Sequence, residues 1–275
     1  VMDLRNNGGG SLAEAISLTG LFIKDGPVVQ VRDSRSRVDV FADDDPKVVY
    51  TGPLVVLTNR FSASASEIFA GAIQDYHRGL IVGESTFGKG TVQSVIDLSP
   101  YVNDPDKVGE LKYTFQKFYR VTGSSTQHKG VTPDIQLPSA LKPEQFGESA
   151  SPNALPWDVI QRAEFQRVSD IDDKLLASLK KNYAERLKSD AVLKRYEGEV
   201  AEMRKNLEET RISLNEAKRR QEIDEAEKKK KANDPLDTKI TSKEGIQNED
   251  LSKLKDEYLR EGLLLLSDII TKRIG

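Results

Sequence analysis

The chain has no cysteine and two histidines in 275 residues. Without cysteine there are no disulfides, no thiolate nucleophile and no cysteine-ligated zinc. The lack assigns no compartment, because a chain without thiols suits oxidising and reducing surroundings alike. No run reaches the roughly 18 consecutive apolar residues of a membrane span. Nor is there a surplus of one charge: the formal net charge is −3, which excludes the chain as a whole from acting as an electrostatic partner for nucleic acid. Charged residues nevertheless make up 31% of the chain, above the roughly 25% of an ordinary soluble domain. They crowd the part beyond about residue 165, where Lys, Arg and Glu dominate, whereas residues 1–140 read as apolar runs between turns.

The chain opens on Val1-Met2-Asp3-Leu4, the pattern of a strand end, and runs straight into Asn6-Asn7-Gly8-Gly9-Gly10. A longer precursor continuing upstream is therefore expected. Helical spacing extends from Leu12 to Ile23, and Val28 to Val31 forms a strand. Residues 33–47 are polar, include Asp43-Asp44-Asp45-Pro46, and read as a surface loop. Leu54 to Leu57 is a buried strand. A helix from about Ser64 to Tyr76 carries one apolar stripe of Ile68, Phe69, Ala72, Ile73 and Tyr76. Strands are predicted at Leu80–Val82, Thr91–Leu98 and Leu111–Val121, with a turn at Gly130-Val131-Thr132-Pro133-Asp134 before a last one. Strands alternating with helices indicate an α/β domain with a largely parallel sheet over residues 1–140. Four prolines between Pro138 and Pro156 mark a linker at 141–156, and residues 157–275 read as a helical C-terminal domain. Within it, Val200, Met203, Leu207, Thr210, Leu214 and Ala217 alternate three and four apart, the seam of a short coiled-coil pair. That seam runs into Lys228-Lys229-Lys230-Lys231, read as a solvated helix face, and Leu251–Ile274 forms a final amphipathic helix.

The stretch Gly83 to Gln93, GESTFGKGTVQ, has the spacing of a phosphate-binding loop after a strand. Two features oppose that reading. Gly90 stands where a Ser or Thr would hold magnesium, and the β-branched Thr91–Ile96 run looks extended, whereas a phosphate loop opens a helix. Upstream, Ser64 stands three residues before Glu67 at the head of an apolar-periodic segment, the signature of a capping box. Either Ser64 caps the helix, or it presents its hydroxyl on a strand-to-helix turn whose free backbone N–H groups face a developing oxyanion. A serine nucleophile needs a base. His77 lies at the other end of the same helix, roughly 18 Å away at 1.5 Å per residue, and His128 lies in a polar loop. Lysine remains, and Ser–Lys pairs are known variants of the triad. Lys89 sits between Gly88 and Gly90 and between two apolar strands. To accept a proton its amine must fall from about 10.4 toward 7 or 8, a change of about 4 kcal/mol that burial can supply.

The segments Asp3-Leu4-Arg5-Asn6-Asn7-Gly8-Gly9-Gly10, Ser62-Ala63-Ser64-Ala65-Ser66-Glu67-Ile68 and Gly83-Glu84-Ser85-Thr86-Phe87-Gly88-Lys89-Gly90 occur in order, with Gly130-Val131-Thr132-Pro133-Asp134 after them. Together they resemble the C-terminal processing peptidase family of serine proteases. The resemblance implies an α/β core related to the crotonase and caseinolytic-protease folds, followed by a charged, mainly α-helical C-terminal domain. It assigns Ser64 as nucleophile, Lys89 as general base and Gln93 as the residue that orients the lysine through an uncharged amide oxygen. Backbone N–H groups of Ala65 and of one glycine in the first loop, Gly10 chosen among Gly8, Gly9 and Gly10, match the oxyanion hole. Asp75 matches a position implicated in activity; a carboxylate near a helix C-terminus opposes the helix dipole, so a specific partner is expected, with Arg78 as the candidate.

The activity so implied is endopeptidase cleavage of proteins or peptides with exposed apolar C-terminal tails, without metal or organic cofactor. The resemblance places the protein in the periplasm or at the inner membrane surface, adds an upstream PDZ domain that captures the substrate's carboxyl end, and leaves room for an adaptor protein. Two other readings stay open. One is a catalytically silent peptide-binding relative, and the other a helical scaffold or nucleic-acid binder working through residues 195–232.

Overall fold

Short aliphatic runs set the centre of the molecule. The computed structural model describes residues 1–104, 108–233 and 254–274. Strands β1 (Met2–Asp3), β4 (Val55–Thr58), β5 (Leu80–Gly83) and β8 (Ile135–Gln136) form a parallel sheet in the order β1-β4-β5-β8. Met2 lies opposite Val56, Val55 opposite Leu80 and Val82 opposite Ile135. Every residue of β4 and β5 is buried, as parallel strands are when both faces are covered. The period-two alternation divides them. Val56 and Ile81 face α2 (Ala65–Asp75), while Val55, Leu57, Leu80 and Val82 face the C-terminal helices.

The second sheet is antiparallel throughout, in the order β3-β2-β7-β6, from β2 (Pro27–Asp33), β3 (Val38–Ala42), β6 (Thr91–Asp97) and β7 (Glu110–Tyr119). The expectation of a largely parallel sheet therefore holds for only one of the two. Helix α2 lies between them. Its Phe69, Ala70 and Ile73 pack with Leu54, Val56 and Ile81, while Ile68 and Ala72 pack with Val29, Val31 and Phe118. Helix α1 (Leu12–Gly20) adds Ala15 and Ile16 to the second cluster. Strand β3 occupies part of the segment read as a loop. It is an edge strand whose Val38, Val40 and Phe41 are exposed, so no buried face gives it the alternation that identifies a strand.

The C-terminal part contains α3 (Asp173–Ser189), α4 (Ala191–Glu208), α5 (Glu216–Asn233) and α6 (Glu257–Ile274). Asp172 and Asp190 cap α3 and α4, accepting from the Leu175 N–H at 2.7 Å and the Val192 N–H at 2.8 Å. Leu179, Tyr183, Leu193, Leu265 and Ile269 are buried against the outer face of the parallel sheet. Gly262 lets α6 approach closely: a β-carbon there would lie 2.9 Å from Leu57 Cδ2. Residues 157–171 are not helical, as the composition suggested, but run extended along the core. Ile160 donates to Gly123 O at 2.9 Å, Ala163 to Val121 O at 2.8 Å and Val168 to Tyr76 O at 2.9 Å.

The coiled-coil seam is also corrected. Helix α4 ends at Glu208 and α5 begins at Glu216, with Asn215 capping the new helix through the Lys218 N–H at 3.1 Å. Thr210, Ser213 and Asn215 favour caps and turns over helix interiors. Val200 is buried, but Met203, Leu207 and Leu214 are exposed, so no packed seam continues through the break. The side chains of Lys229–Lys231 and residues 251–253 of the expected last helix lie outside the described residues. Among the described residues no helix is long and apolar enough to cross a membrane.

Candidate active site

Ser64 stands at the N-cap of α2 with φ 57° and ψ −114°. A non-glycine residue held there carries strain of about 1–3 kcal/mol, which the surrounding contacts must impose. They come from the first glycine loop. Asn7 O accepts from the Ala63 N–H and from Ser66 Oγ, each at 3.0 Å. Gly9, at φ 96°, presses on the same turn: a β-carbon on it would lie 2.6 Å from Ala63 O and 2.8 Å from both Ala65 N and Ser64 Cβ. Ser64 and Glu67 have the arrangement of a capping box, but the close partner of the Glu67 N–H is the Ser64 carbonyl at 2.9 Å. The Ser64 hydroxyl makes no cap hydrogen bond.

Glu67 does more than cap. Its carboxylate is wholly buried and accepts four hydrogen bonds. Oε2 takes the Ser64 N–H at 2.8 Å and the Lys89 N–H at 2.9 Å; Oε1 takes the Thr86 hydroxyl at 2.5 Å and the Gly88 N–H at 2.7 Å. One oxygen thus joins the main chains of Ser64 and Lys89, 25 positions apart in sequence. Burial pushes the Glu67 carboxyl up to about 7, against the four donors that favour its charge. The cap signature pointed to Glu67, but its bridging role depends on how the loop Glu84–Gly90 folds back, which no local pattern encodes.

That fold explains the glycine spacing that resembles a phosphate loop. At Gly88, φ 93°, a β-carbon would lie 2.8 Å from the His128 carbonyl carbon, and at Gly90 it would lie 2.7 Å from Gln127 N. The Gly88 carbonyl accepts from the His128 N–H at 2.8 Å, and the Gly90 N–H donates to Gln127 Oε1 at 2.8 Å. The glycines admit residues 127–128, and Gly90 leads into strand β6, not into a helix. Lys89 between them is half-buried, and among the described residues no carboxylate pairs with its amine.

The other sequence-predicted residues divide between the site and its surroundings. The Ala65 N–H, at the first position of α2, has no intrahelical acceptor. The Gly9 N–H is taken by Asn7 Oδ1 at 3.0 Å, while Gly10 borders open space beside Ala65. There a cleft of about 170 Å³ has Leu4, Leu18 and Phe69 in its lining. Gln93 is exposed on β6; its Nε2 lies 3.5 Å from Thr114 Oγ1, and it makes no hydrogen bond to Lys89. Asp75 ends α2, roughly 16 Å from Ser64 at 1.5 Å per residue. Its partner is Arg120, not Arg78: Arg120 Nε and Nη2 donate to Asp75 at 3.0 and 2.5 Å. Arg78 instead donates to Phe22 O and Tyr50 O and pairs with Asp170. Helix α2 ends at Asp75 and the chain turns at His77, φ 54°, before Arg78, whereas Arg120 directly follows β7 of the other sheet.

Comparison with known proteins gives the family of the chain. Residues 1–137 match the model of peptidase family S41, and residues 141–271 match that of the C-terminal domain of tail specific protease. The tail-specific protease of Haemophilus influenzae is 42% identical over 272 residues, 98% of this chain and 36% of that protein. The chloroplastic C-terminal processing peptidase of Tetradesmus obliquus is 40% identical over 143 residues, 52% of this chain and 29% of that protein. A solved structure of a photosystem II D1 C-terminal processing protease is 39% identical, covers 52% of this chain and 34% of its own, and superposes with a TM-score of 0.41. The chain spans about a third of the length of the curated relatives it matches.

Proposed function

The chain belongs to peptidase family S41, and on that premise we propose that it is a serine endopeptidase whose catalytic pair is Ser64 and Lys89. The observation that carries the pairing is the single Glu67 oxygen bonded to both main chains, which makes the two residues neighbours. The uncapped Ser64 hydroxyl on its strained turn supports the nucleophile role.

Lys89 Nζ, neutral, takes the proton from Ser64 Oγ as Oγ attacks the peptide carbonyl. The carbonyl oxygen becomes an oxyanion facing the free N–H groups of Ala65 and Gly10. The tetrahedral intermediate then breaks its C–N bond, and the Lys89 ammonium returns the proton to the departing amine. Lys89 next deprotonates a water that attacks the acyl ester; collapse frees the product as a carboxylic acid, which loses its proton to solvent, and the ammonium reprotonates Ser64. Gln93, which makes no bond to Lys89 here and has only a long contact to Thr114 to break, would turn its amide oxygen to the amine to orient it. Asp75 supports the site through α2, which its pair with Arg120 ties to β7.

The apolar cleft beside Gly10 takes a substrate side chain. Selection by C-terminal tails is supported by the names of the tail-specific and C-terminal processing relatives; the apolar character of those tails, an upstream PDZ module and an adaptor where one is used are part of the same proposal. The periplasmic location belongs to the same reading. The test is labelling with a serine-reactive fluorophosphonate. The parent labels, Ser64→Ala does not, and Lys89→Arg loses about 10²–10⁴-fold in turnover with its circular dichroism unchanged, because a guanidinium cannot serve as base. Undiminished turnover in Lys89→Arg refutes the assignment. End-group mapping of digests of free-acid and amidated peptides then tests the dependence on a carboxyl end.

A further inference from the structure

Helix α6 begins on a residue with two tasks. Asp256 caps it, Oδ1 accepting the Leu259 N–H at 3.0 Å. The same carboxylate receives the Arg5 guanidinium end-on, Nη1 to Oδ1 at 2.7 Å and Nη2 to Oδ2 at 2.6 Å, the two-pronged geometry that fixes direction as well as distance. Arg5 also grips Asp3 of β1 and immediately precedes the loop Asn6–Gly10. Two residues past Asp256, the buried Tyr258 hydroxyl donates to Glu84 Oε1 at 2.6 Å. Glu84 is the root of the loop that carries Lys89, and its other carboxylate oxygen accepts the Arg60 N–H at 3.3 Å. The Arg5 guanidinium lies 5.5 Å from the Tyr258 ring centroid, and Tyr196 of α4 donates to the Tyr258 hydroxyl at 3.2 Å, so both contacts form one unit.

One helical turn therefore holds the roots of both active-site loops. Gly8, Gly9 and Gly10 have no side chains to anchor the glycine loop; Asn6 and Asn7 tie it to Asn59, Ala63 and Ser66, and Arg5 adds the anchor at its N-terminal root. The Arg5–Asp256 pair is partly exposed, at 19% and 39%, where ion pairs add little stability; α6 is already docked by Leu265 and Ile269. Resting on the serine-peptidase reading above, we propose that Asp256 and Tyr258 are positioning residues of the catalytic site. Asp256 sets the oxyanion loop and Tyr258 the lysine loop, so the C-terminal helices hold the nucleophile, base and oxyanion donors in register.

The test uses two variants of the intact protein chosen to spare the fold. Asp256→Asn keeps a good helix cap while neutralising the partner of Arg5, and Tyr258→Phe keeps the ring while deleting the bond to Glu84. Acylation by a fluorophosphonate and cleavage of an internally quenched peptide are measured beside urea denaturation. The expected result is a fall of about tenfold to a hundredfold in acylation rate and kcat in each variant, the size that small displacements of a catalytic group produce, with KM within about twofold and the folded fraction unchanged. Acylation at the parent rate in both variants overturns the proposal while leaving the peptidase reading intact. A loss no larger than the unfolded fraction also overturns it, since the residues are then only structural. A parent that takes no label overturns both.

Discussion

Glu67→Gln isolates the buried carboxylate on which the site turns. Folding raises this carboxyl from 4.5 to about 7 because burial penalises its charge. The folded chain therefore holds a proton in that window that the unfolded chain has released. The resulting stability is fully present below pH 4.5 and is lost as pH rises through about 7. At about 1.4 kcal/mol per pH unit, the window amounts to about 3 kcal/mol. Glutamine does not titrate, so the comparison cancels every other ionising group. It also brings a cost: one of its two ends is an NH₂, which cannot accept from the Gly88 N–H or from the Ser64 and Lys89 N–H groups. One orphaned buried donor costs about 1–3 kcal/mol. At pH 4.5 the variant should be less stable than the parent by about that amount. By pH 8 the difference should shift by about 3 kcal/mol in favour of glutamine and vanish or invert. Urea unfolding of both proteins at pH 4.5, 6, 7 and 8, with equal m-values, reads this directly. A difference constant across the window refutes the reasoning, because the four donors would then outweigh burial and leave the carboxyl charged throughout.

Two further substitutions probe the supports of the site. Gly9→Ala places a β-carbon 2.6 Å from Ala63 O at a backbone φ of 96°. It should cost about 1–3 kcal/mol in thermal unfolding and slow fluorophosphonate labelling by displacing the Ala65 N–H; unchanged labelling would separate the loop from the oxyanion hole. Asp75→Asn leaves Arg120 facing a neutral partner at the end of α2 and should cost about 3 kcal/mol. If the pair acts as a unit, Arg120→Gln lowers turnover to the same degree; turnover that differs widely between the two variants would show that Asp75 acts alone.

How legible these features were depends on how local they are. Ser64 and Lys89 stood out as candidates because a strand-to-helix turn and a glycine-flanked lysine leave marks within a few residues. Strands β4 and β5 were visible because burial on both faces makes them continuously aliphatic. Gly88 and Gly90 were visible but ambiguous: a loop that cradles a phosphate and one that admits residues 127–128 demand the same missing β-carbons, and only the approaching chain distinguishes them. The Asp75 partner was out of reach for the same reason, since Arg78 is the near cation in sequence and Arg120 the near one in space. Residues 157–171 were misread because single hydrogen bonds to Gly123, Val121 and Tyr76 hold them without imposing any period on their side chains.

The same reasoning bears on why the helical part accompanies the peptidase core. Val55, Leu57, Leu80 and Val82 form the outer face of the parallel sheet, and Leu179, Tyr183, Leu193, Leu265 and Ile269 bury them. Each aliphatic side chain so covered contributes about 1.5–3 kcal/mol, so the sheet that positions both loops of the candidate site depends on the helices for its hydrophobic cover. Regions matched by two separate family models therefore share one core. With the packing already supplied by apolar side chains, the polar contacts of Arg5 with Asp256 and of Glu84 with Tyr258 are free to act on direction: they set where the two loops point rather than whether the helix docks.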